Sequence, residues 1–237
     1  MHTKVSLSSI SQLIEGTHEN PSSVLGPHPI DYLGEAAVAV RTYLPQAKAA
    51  WIIDRQSGLR RPMRRLHPAG FFEAICHGEV DERPRADQNV ATGKARTSRY
   101  RIQMTDKAGE IIDMQDPYAA PSIFSSLDRH LIGEGRHHRL YERLGAQPRI
   151  IDDASGVNFA VWAPNAKSVQ VVGDFNNWDG RQHTARALDH LGIWELFIPE
   201  AKVGDKYKYR ILNNQEEWVD KSDPLGFAAE LPPLTAS

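Results

Sequence analysis

The chain repeats itself, and no other feature narrows its fold as far. Residues 38–54, VAVRTYLPQAKAAWIID, lie over residues 157–173, VNFAVWAPNAKSVQVVG, with Pro45 over Pro164, Ala47 over Ala166 and Lys48 over Lys167. Farther along, Gly70-Phe71-Phe72-Glu73 matches Gly192-Ile193-Trp194-Glu195, Tyr100-Arg101-Ile102 matches Tyr209-Arg210-Ile211, and Asp116-Pro117 matches Asp223-Pro224. Four blocks in one order, at shifting offsets, describe one scaffold used twice with loops of different length.

The blocks are strand-like. Val38, Val40 and Thr42 alternate, as do Val157, Phe159 and Val161, then Trp194, Leu196 and Ile198, then Tyr207, Tyr209 and Ile211. Period two puts one face of each strand into a core. Turn signals recur about every ten residues, at Asn165-Ala166, Asp179-Gly180 and Asn213-Asn214, which is the rhythm of an antiparallel sandwich. Helical spacing occurs twice. Leu7, Ile10, Leu13 and Ile14 fit a helix started by Ser6 or Ser8 and stopped by Gly16. Ile123, Phe124, Leu127 and Leu131 fit a second, over 122–131, ended by Gly133 and Gly135. Residues 78–98 hold no Leu, Ile, Met, Phe, Trp or Tyr, and are expected to form a mobile loop.

Two domains therefore divide the 237 residues: 1–120 and 150–237, with a helical linker over 121–149. With 41% apolar and 24% charged residues the chain can bury a core, which excludes disorder as its class. A net charge of −2 lacks the basic excess that phosphate-backbone binding needs, so no nucleic-acid partner is expected. No apolar run reaches membrane-spanning length and the first residues lack a signal-type apolar stretch, so no membrane is expected either. The lone Cys76, in the strand-like FFEAIC, excludes an internal disulfide framework, reads as a core residue and suits the cytoplasm. An eight-stranded α/β barrel takes roughly 250 residues and does not fit beside this many short strands. Phosphate-loop, His-Glu-x-x-His and Gly-x-Ser-x-Gly signatures are missing, so no catalytic residue, cofactor or metal site is predicted.

Charge is uneven: residues 1–115 carry +2 and residues 151–237 carry −5. Arg55, Arg60, Arg61, Arg64 and Arg65 crowd one hairpin, which reads as a solvated tip or as a surface for an acidic partner. His137 and His138, beside Arg136 and Arg139, read as surface residues. Trp162, Trp194 and Trp51 read as core.

The sharpest local feature is Gly173-Asp174-Phe175-Asn176-Asn177-Trp178-Asp179, a strand running into an Asn-rich turn that carries an indole. Turns lie at the surface, where so large an apolar ring gains nothing from burial. Lys208 follows in the strand KYKYRI, pointing opposite to Tyr207 and Tyr209, and Trp218 comes after the next turn. Indole planes with Asn177 and Lys208 as donors make a platform on which the apolar face of a pyranose stacks while its hydroxyls take hydrogen bonds. The competing reading packs Trp178 and Trp218 over one end of the sandwich.

At these residues the sequence resembles the N-terminal half of the bacterial glycogen branching enzymes, the 1,4-alpha-glucan branching enzymes of glycoside hydrolase family 13. The resemblance runs over nearly the whole chain: NPSSVLGPH at 20–28, DPY at 116–118, EGRH at 134–137, YERLG at 141–145, FAVWAPNA at 159–166, VGDFNNWDG at 172–180, GIWELFIP at 192–199 and KSDP at 221–224. It implies an all-β fold of two tandem immunoglobulin-like β-sandwiches with short connecting helices, the second of the carbohydrate-binding module family 48 type. It implies an α-1,4-glucan or glycogen ligand at Trp178, Lys208 and Trp218, with Trp218 set apart by a longer Asn213–Glu217 turn. It further implies that residues 223–237 form the passage into a catalytic barrel of the same enzyme, which supplies the catalytic carboxylates, so the chain reads as a fragment or truncated product inactive alone. A free-standing glycogen-binding adaptor and a structural spacer are the alternatives.

Overall fold

A computed structural model describes residues 5–77, 100–151, 153–231 and 233–237. The expected loop over 78–98 lies outside the described residues. Helix α1, Leu7–Glu15, begins where Ser6 caps it by accepting the Ser9 N–H at 3.0 Å, and ends at Gly16 in the left-handed conformation, as its sequence indicates.

The first sandwich contains β1 Gly26–Tyr32, β2 Glu35–Tyr43, β3 Ala47–Asp54, β4 Arg60–Pro62, β5 Arg64–His67, β6 Phe71–His77, β7 Tyr100–Asp106 and β8 Ile111–Met114. Its sheets run β1-β2-β6-β5 and β4-β3-β7-β8. The second contains β9 Gly145–Ile151, β10 Ala154–Trp162, β11 Ser168–Gly173, β12 Arg186–Ala187, β13 Ile193–Ile198, β14 Tyr207–Leu212 and β15 Trp218–Lys221. Here the sheets run β9-β10-β13-β12 and β11-β14-β15. The strand pairs are antiparallel, and the repeat holds in topology: β1, β2, β6 and β5 take the places of β9, β10, β13 and β12, and β3, β7 and β8 those of β11, β14 and β15.

Val40, Ile52, Phe72 and Ile102 fill the first core. Phe159, Val169, Val171, Leu196, Ile198 and Tyr209 fill the second, and α1 joins that second cluster through Ile10 and Leu13, as do Tyr43, Phe71 and Tyr118. The Tyr118 hydroxyl donates to the carbonyls of Gln182 and Thr184, and Gln46 and Gln182 exchange amide hydrogen bonds, so the halves share polar as well as apolar contacts.

Four expectations change. Helix α2 covers Ser126–Gly133, not 122–131, because Ser125 and Asp128 form a capping box. Ile123 and Phe124 are buried on the extended chain before it, against Leu188 and Ile193, and Leu127 is 62% exposed. Trp162 is 61% exposed: it lies on the face of β10 opposite Val157, Phe159 and Val161, a face that is buried at Asn158 and Ala160 and open at the strand's last residue. Trp51 is partly exposed under the Arg60 guanidinium, 3.8 Å from its ring centroid, whereas Trp194 is core as expected. His137 is not a surface residue: its Nε2 lies 2.8 Å from Asp128, a partner brought by α2 from nine residues away.

The arginine hairpin is largely tied to the scaffold. Besides Arg60, Arg64 lies 3.5 Å from Glu73, and Arg65 donates to the Lys48 carbonyl at 2.8 Å. Cys76 is buried, and burial pushes its thiol pKa up. Among the described residues no helix is long and apolar enough to cross a membrane.

Candidate functional site

The loop leaving β11 is held in a costly shape by its own side chains. Asp174 to Asn176 make one 3-10 turn, after which Asn177 and Trp178 both take left-handed backbone angles, φ 51° and 62°. Each such residue costs roughly 1–2 kcal/mol, least for Asn, so two in succession persist only where the surroundings impose them. Asn176 is the pin. Its Oδ1 accepts the Gly173 N–H at 2.9 Å, and its Nδ2 donates to the Val171 carbonyl at 2.8 Å and to His183 Nδ1 at 2.9 Å. Asp174 clamps the loop to the neighbouring chain, accepting the Lys206 N–H at 3.0 Å and the Trp178 indole N–H at 3.3 Å.

His183 must be neutral to serve as that acceptor. Burial pushes its pKa down to about 4, outweighing the opposing charge of Asp179. The carboxyl of Asp179 is itself held low, chiefly by hydrogen bonds from Arg181. Three ion pairs lie near the indole: Arg181 with Asp179 at 2.7 Å, Arg210 with Asp220 at 2.8 Å, and Lys206 with Glu230 at 2.7 Å.

Trp178 and Lys208 border the same cavity, of about 430 Å³, with Asp174, Lys206, Glu230 and Thr235. One wall is formed by residues 233–236, and this end of the chain lies beside β14: Ser237 exchanges two backbone hydrogen bonds with Tyr207, and Thr235 Oγ1 accepts from Lys208 Nζ at 2.7 Å. Asn177 is exposed on the same loop as Trp178.

Trp218 does not join them. It pairs with Leu212 on β15, four residues along β14 from Lys208, or about 13 Å at the usual strand rise. The Arg210–Asp220 ion pair lies between, two register positions from the Leu212–Trp218 pair. Asn213 builds the intervening turn, its Oδ1 accepting from the N–H groups of Gln215 and Glu217 at 2.9 Å each. Trp218 lines a different cleft, of about 670 Å³.

Sequence reasoning misses Asp174 and Asn176, although both stand inside the motif that singles out Trp178. It misses His183 and Thr235 too, which no local pattern signals. Among the described residues, no cluster of His, Cys, Asp and Glu could hold a metal ion.

Residues 6–118 match the family model of the alpha-1,4-glucan branching enzyme GlgB N-terminal domain, and residues 143–226 match that of carbohydrate-binding module 48, the isoamylase N-terminal domain. The chain carries a GlgB N-terminal domain followed by a carbohydrate-binding module 48 domain. The 1,4-alpha-glucan branching enzyme GlgB of Rhodopirellula baltica is 56% identical to it over the whole chain, which covers 30% of that relative. The enzyme of the same name from Synechococcus elongatus is 40% identical over 99% of the chain and 28% of the relative. The chain thus spans less than a third of the length of the curated relatives it matches. Among solved structures, a pullulanase from Anoxybacillus sp. LM18-11 is similar over 89% of this chain and 27% of its own, at 13% identity and a TM-score of 0.34. So distant a likeness carries no weight for the GlgB-type site.

Proposed function

We propose that this GlgB-type region binds α-1,4-glucan at Trp178 and Lys208, as the N-terminal part of a cytoplasmic glycogen branching enzyme. The observation that carries the reading is the Asn176-pinned loop, which spends backbone strain to set an indole beside an ammonium group at the rim of a cavity. A glucose ring stacks its apolar face on Trp178, and its hydroxyls exchange hydrogen bonds with Lys208 and Asn177. Three ion pairs surround the site, and its one carboxylate and one ammonium outside them, Asp174 and Lys208, are opposite in sign, so it suits an uncharged polysaccharide.

In the whole enzyme an α-1,4 bond is cut and the freed chain moved to a sugar 6-hydroxyl. A retaining pair of carboxylates stands about 5–5.5 Å apart in such chemistry. That pair belongs to the catalytic barrel of the same enzyme, and the present region holds polysaccharide for it. Native electrophoresis through a gel containing glycogen tests the binding. The wild-type chain should be retarded and Trp178→Ala should run as in a glycogen-free gel, with Lys208→Ala intermediate. Equal mobility of wild type in both gels removes the proposal.

A further inference from the structure

The loop that carries Trp178 is also held by the first half of the chain. Past Trp178, Asp179 caps a 3-10 turn at Gly180–Gln182 by accepting the Arg181 N–H at 3.2 Å, and His183 follows at once. The imidazole that supports Asn176 therefore lies five positions after the indole. Residues 182–185 run along the edge of β11: the Val171 N–H donates to the His183 carbonyl at 3.0 Å, and the Ala185 N–H to the Val169 carbonyl at 2.8 Å. Carbonyls alternate in direction along an extended segment, so those of Gln182 and Thr184 face away from β11. One hydroxyl is shared between them, Tyr118 Oη donating at 3.1 and 3.2 Å. It holds the backbone on both sides of His183. Burial pushes the Tyr118 pKa well above the usual tyrosine range, so the group stays a donor.

Gln46 grips the same turn, its amide exchanging hydrogen bonds with that of Gln182 at 2.7 and 3.3 Å. Gly180 fits the turn closely against Gln170, since a Cβ there would lie 2.6 Å from that side chain. Gln170 in turn donates to the Gly16 carbonyl at 3.3 Å, where α1 ends. The Tyr118 contact is not a requirement of the shared scaffold. In the repeat Tyr118 stands over Leu225, and both follow the same Asp-Pro turn, their N–H groups donating to Oδ1 of Asp116 and Asp223 at 2.9 and 2.8 Å. That turn forms without a hydroxyl in the second half, and the hydroxyl of the first half serves the loop.

We infer that Tyr118 and Gln46 are positioning residues for glucan binding: from the first half they fix the backbone around His183, and through it Asn176 and the Trp178 indole, without touching sugar. This rests on the reading that glucan binds at Trp178.

Titration calorimetry with maltoheptaose on the 237-residue chain tests it, beside NMR of the Trp178 indole N–H before sugar is added. Tyr118→Phe, which keeps the ring, and Gln46→Leu should each weaken binding about threefold to tenfold, the span of one hydrogen bond. Gln46→Glu, which still accepts from the Gln182 amide, should recover part of the loss. In the sugar-free spectrum Tyr118→Phe should move the indole resonance, because the loop settles differently against its Asp174 acceptor. Ile52→Val in the first core is the control: it costs comparable stability and should leave both readings as in wild type. Thermal melts establish that each variant is folded. Weakening by Ile52→Val equal to that by Tyr118→Phe overturns the inference, since any loosening of the first half would then act alike. Wild-type affinity in both Tyr118→Phe and Gln46→Leu, with binding lost in Trp178→Ala, overturns it too and leaves the site at Trp178 standing. A wild-type chain that binds no maltoheptaose removes the site and the inference together.

Discussion

In the first sandwich β3 ends at Asp54, and the chain turns straight back, with Asp54 Oδ1 accepting from the N–H groups of Gln56 and Ser57 at 3.0 and 2.6 Å. At the matching place in the second, β11 ends at Gly173 and the chain makes a longer excursion that carries Phe175, Asn176 and Trp178 before it returns at β12. Behind these loops the two halves keep the same buried polar contacts. Glu73 on β6 pairs with Arg64 on β5 at 3.5 Å, as Glu195 on β13 pairs with Arg186 on β12 at 3.1 Å, and the first half adds a buried Arg41 on β2, 3.0 Å from Glu73, where the second has Ala160. The Tyr100 hydroxyl donates to Asp116 at 2.6 Å, and those of Tyr207 and Tyr209 donate to Asp223. Gly70 and Gly192 both have positive φ, 103° and 68°, where a Cβ would collide with the Leu44 carbonyl or with Pro164. What is common to the two sandwiches is therefore what holds a β-sandwich together, and what differs is what meets the solvent.

The strongest way to break that equivalence is to remove its buried carboxylates. Glu73→Ala leaves Arg41 buried without its carboxylate, and Glu195→Ala leaves Arg186 and the Ile123 N–H, 2.7 Å from Glu195, without theirs. Each should cost about 3–5 kcal/mol in urea unfolding, the usual result of stranding one partner of a buried pair. A large loss at one site and none at the other would mean that the repeat is topological only.

Next comes pH, which should separate the halves. The native His183 pKa lies at about 4 against 6.5 for an imidazole in water, so between those values the unfolded chain takes up the proton and the native chain does not. His183 thus contributes its stability fully above about pH 6.5 and loses it on acidification toward pH 4, by roughly 3 kcal/mol at 1.36 kcal/mol per unit. Protonation also removes the acceptor for Asn176, so retardation by glycogen should fall over the same window. His183→Gln should flatten the slope; an unchanged slope in that variant would assign it elsewhere.

Smaller still is the contrast between the tyrosines. Tyr100→Phe should cost about 2 kcal/mol, the range of a hydrogen bond to a charged group. Tyr209→Phe should cost less, since Asp223 keeps Tyr207 and the longer 3.3 Å bond of Tyr209 is shared with the Ala160 carbonyl. Equal costs would show that Tyr207 adds nothing.

Much of this scaffold is legible in the residues because it is periodic. Alternation marks β2, β10, β13 and β14, and Ser6 and Gly16 bracket α1. The limits of that legibility are physical. Apolar spacing alone carries a helix through Ile123 and Phe124 and passes over Ser125-x-x-Asp128, whose cap decides where α2 starts. Trp162 looks like core by its size, yet it ends β10 where the cover over Asn158 and Ala160 stops. At the candidate site, Trp178 and Lys208 are visible as an indole on a turn and a cation on the adjacent strand, but contacts between distant segments leave no periodic trace. The return of Thr235 onto Lys208 and the support of Asn176 by His183 both belong to that class.

The most direct test of where glucan binds is to follow the five indole N–H resonances of the chain by NMR while maltoheptaose is added. The indole of Trp178 should shift with sugar, while Trp194 in the core, Trp162 on β10 and Trp51 under Arg60 stay in place. Movement of Trp51 with Trp178 unmoved would put the ligand on the first sandwich and contradict the account.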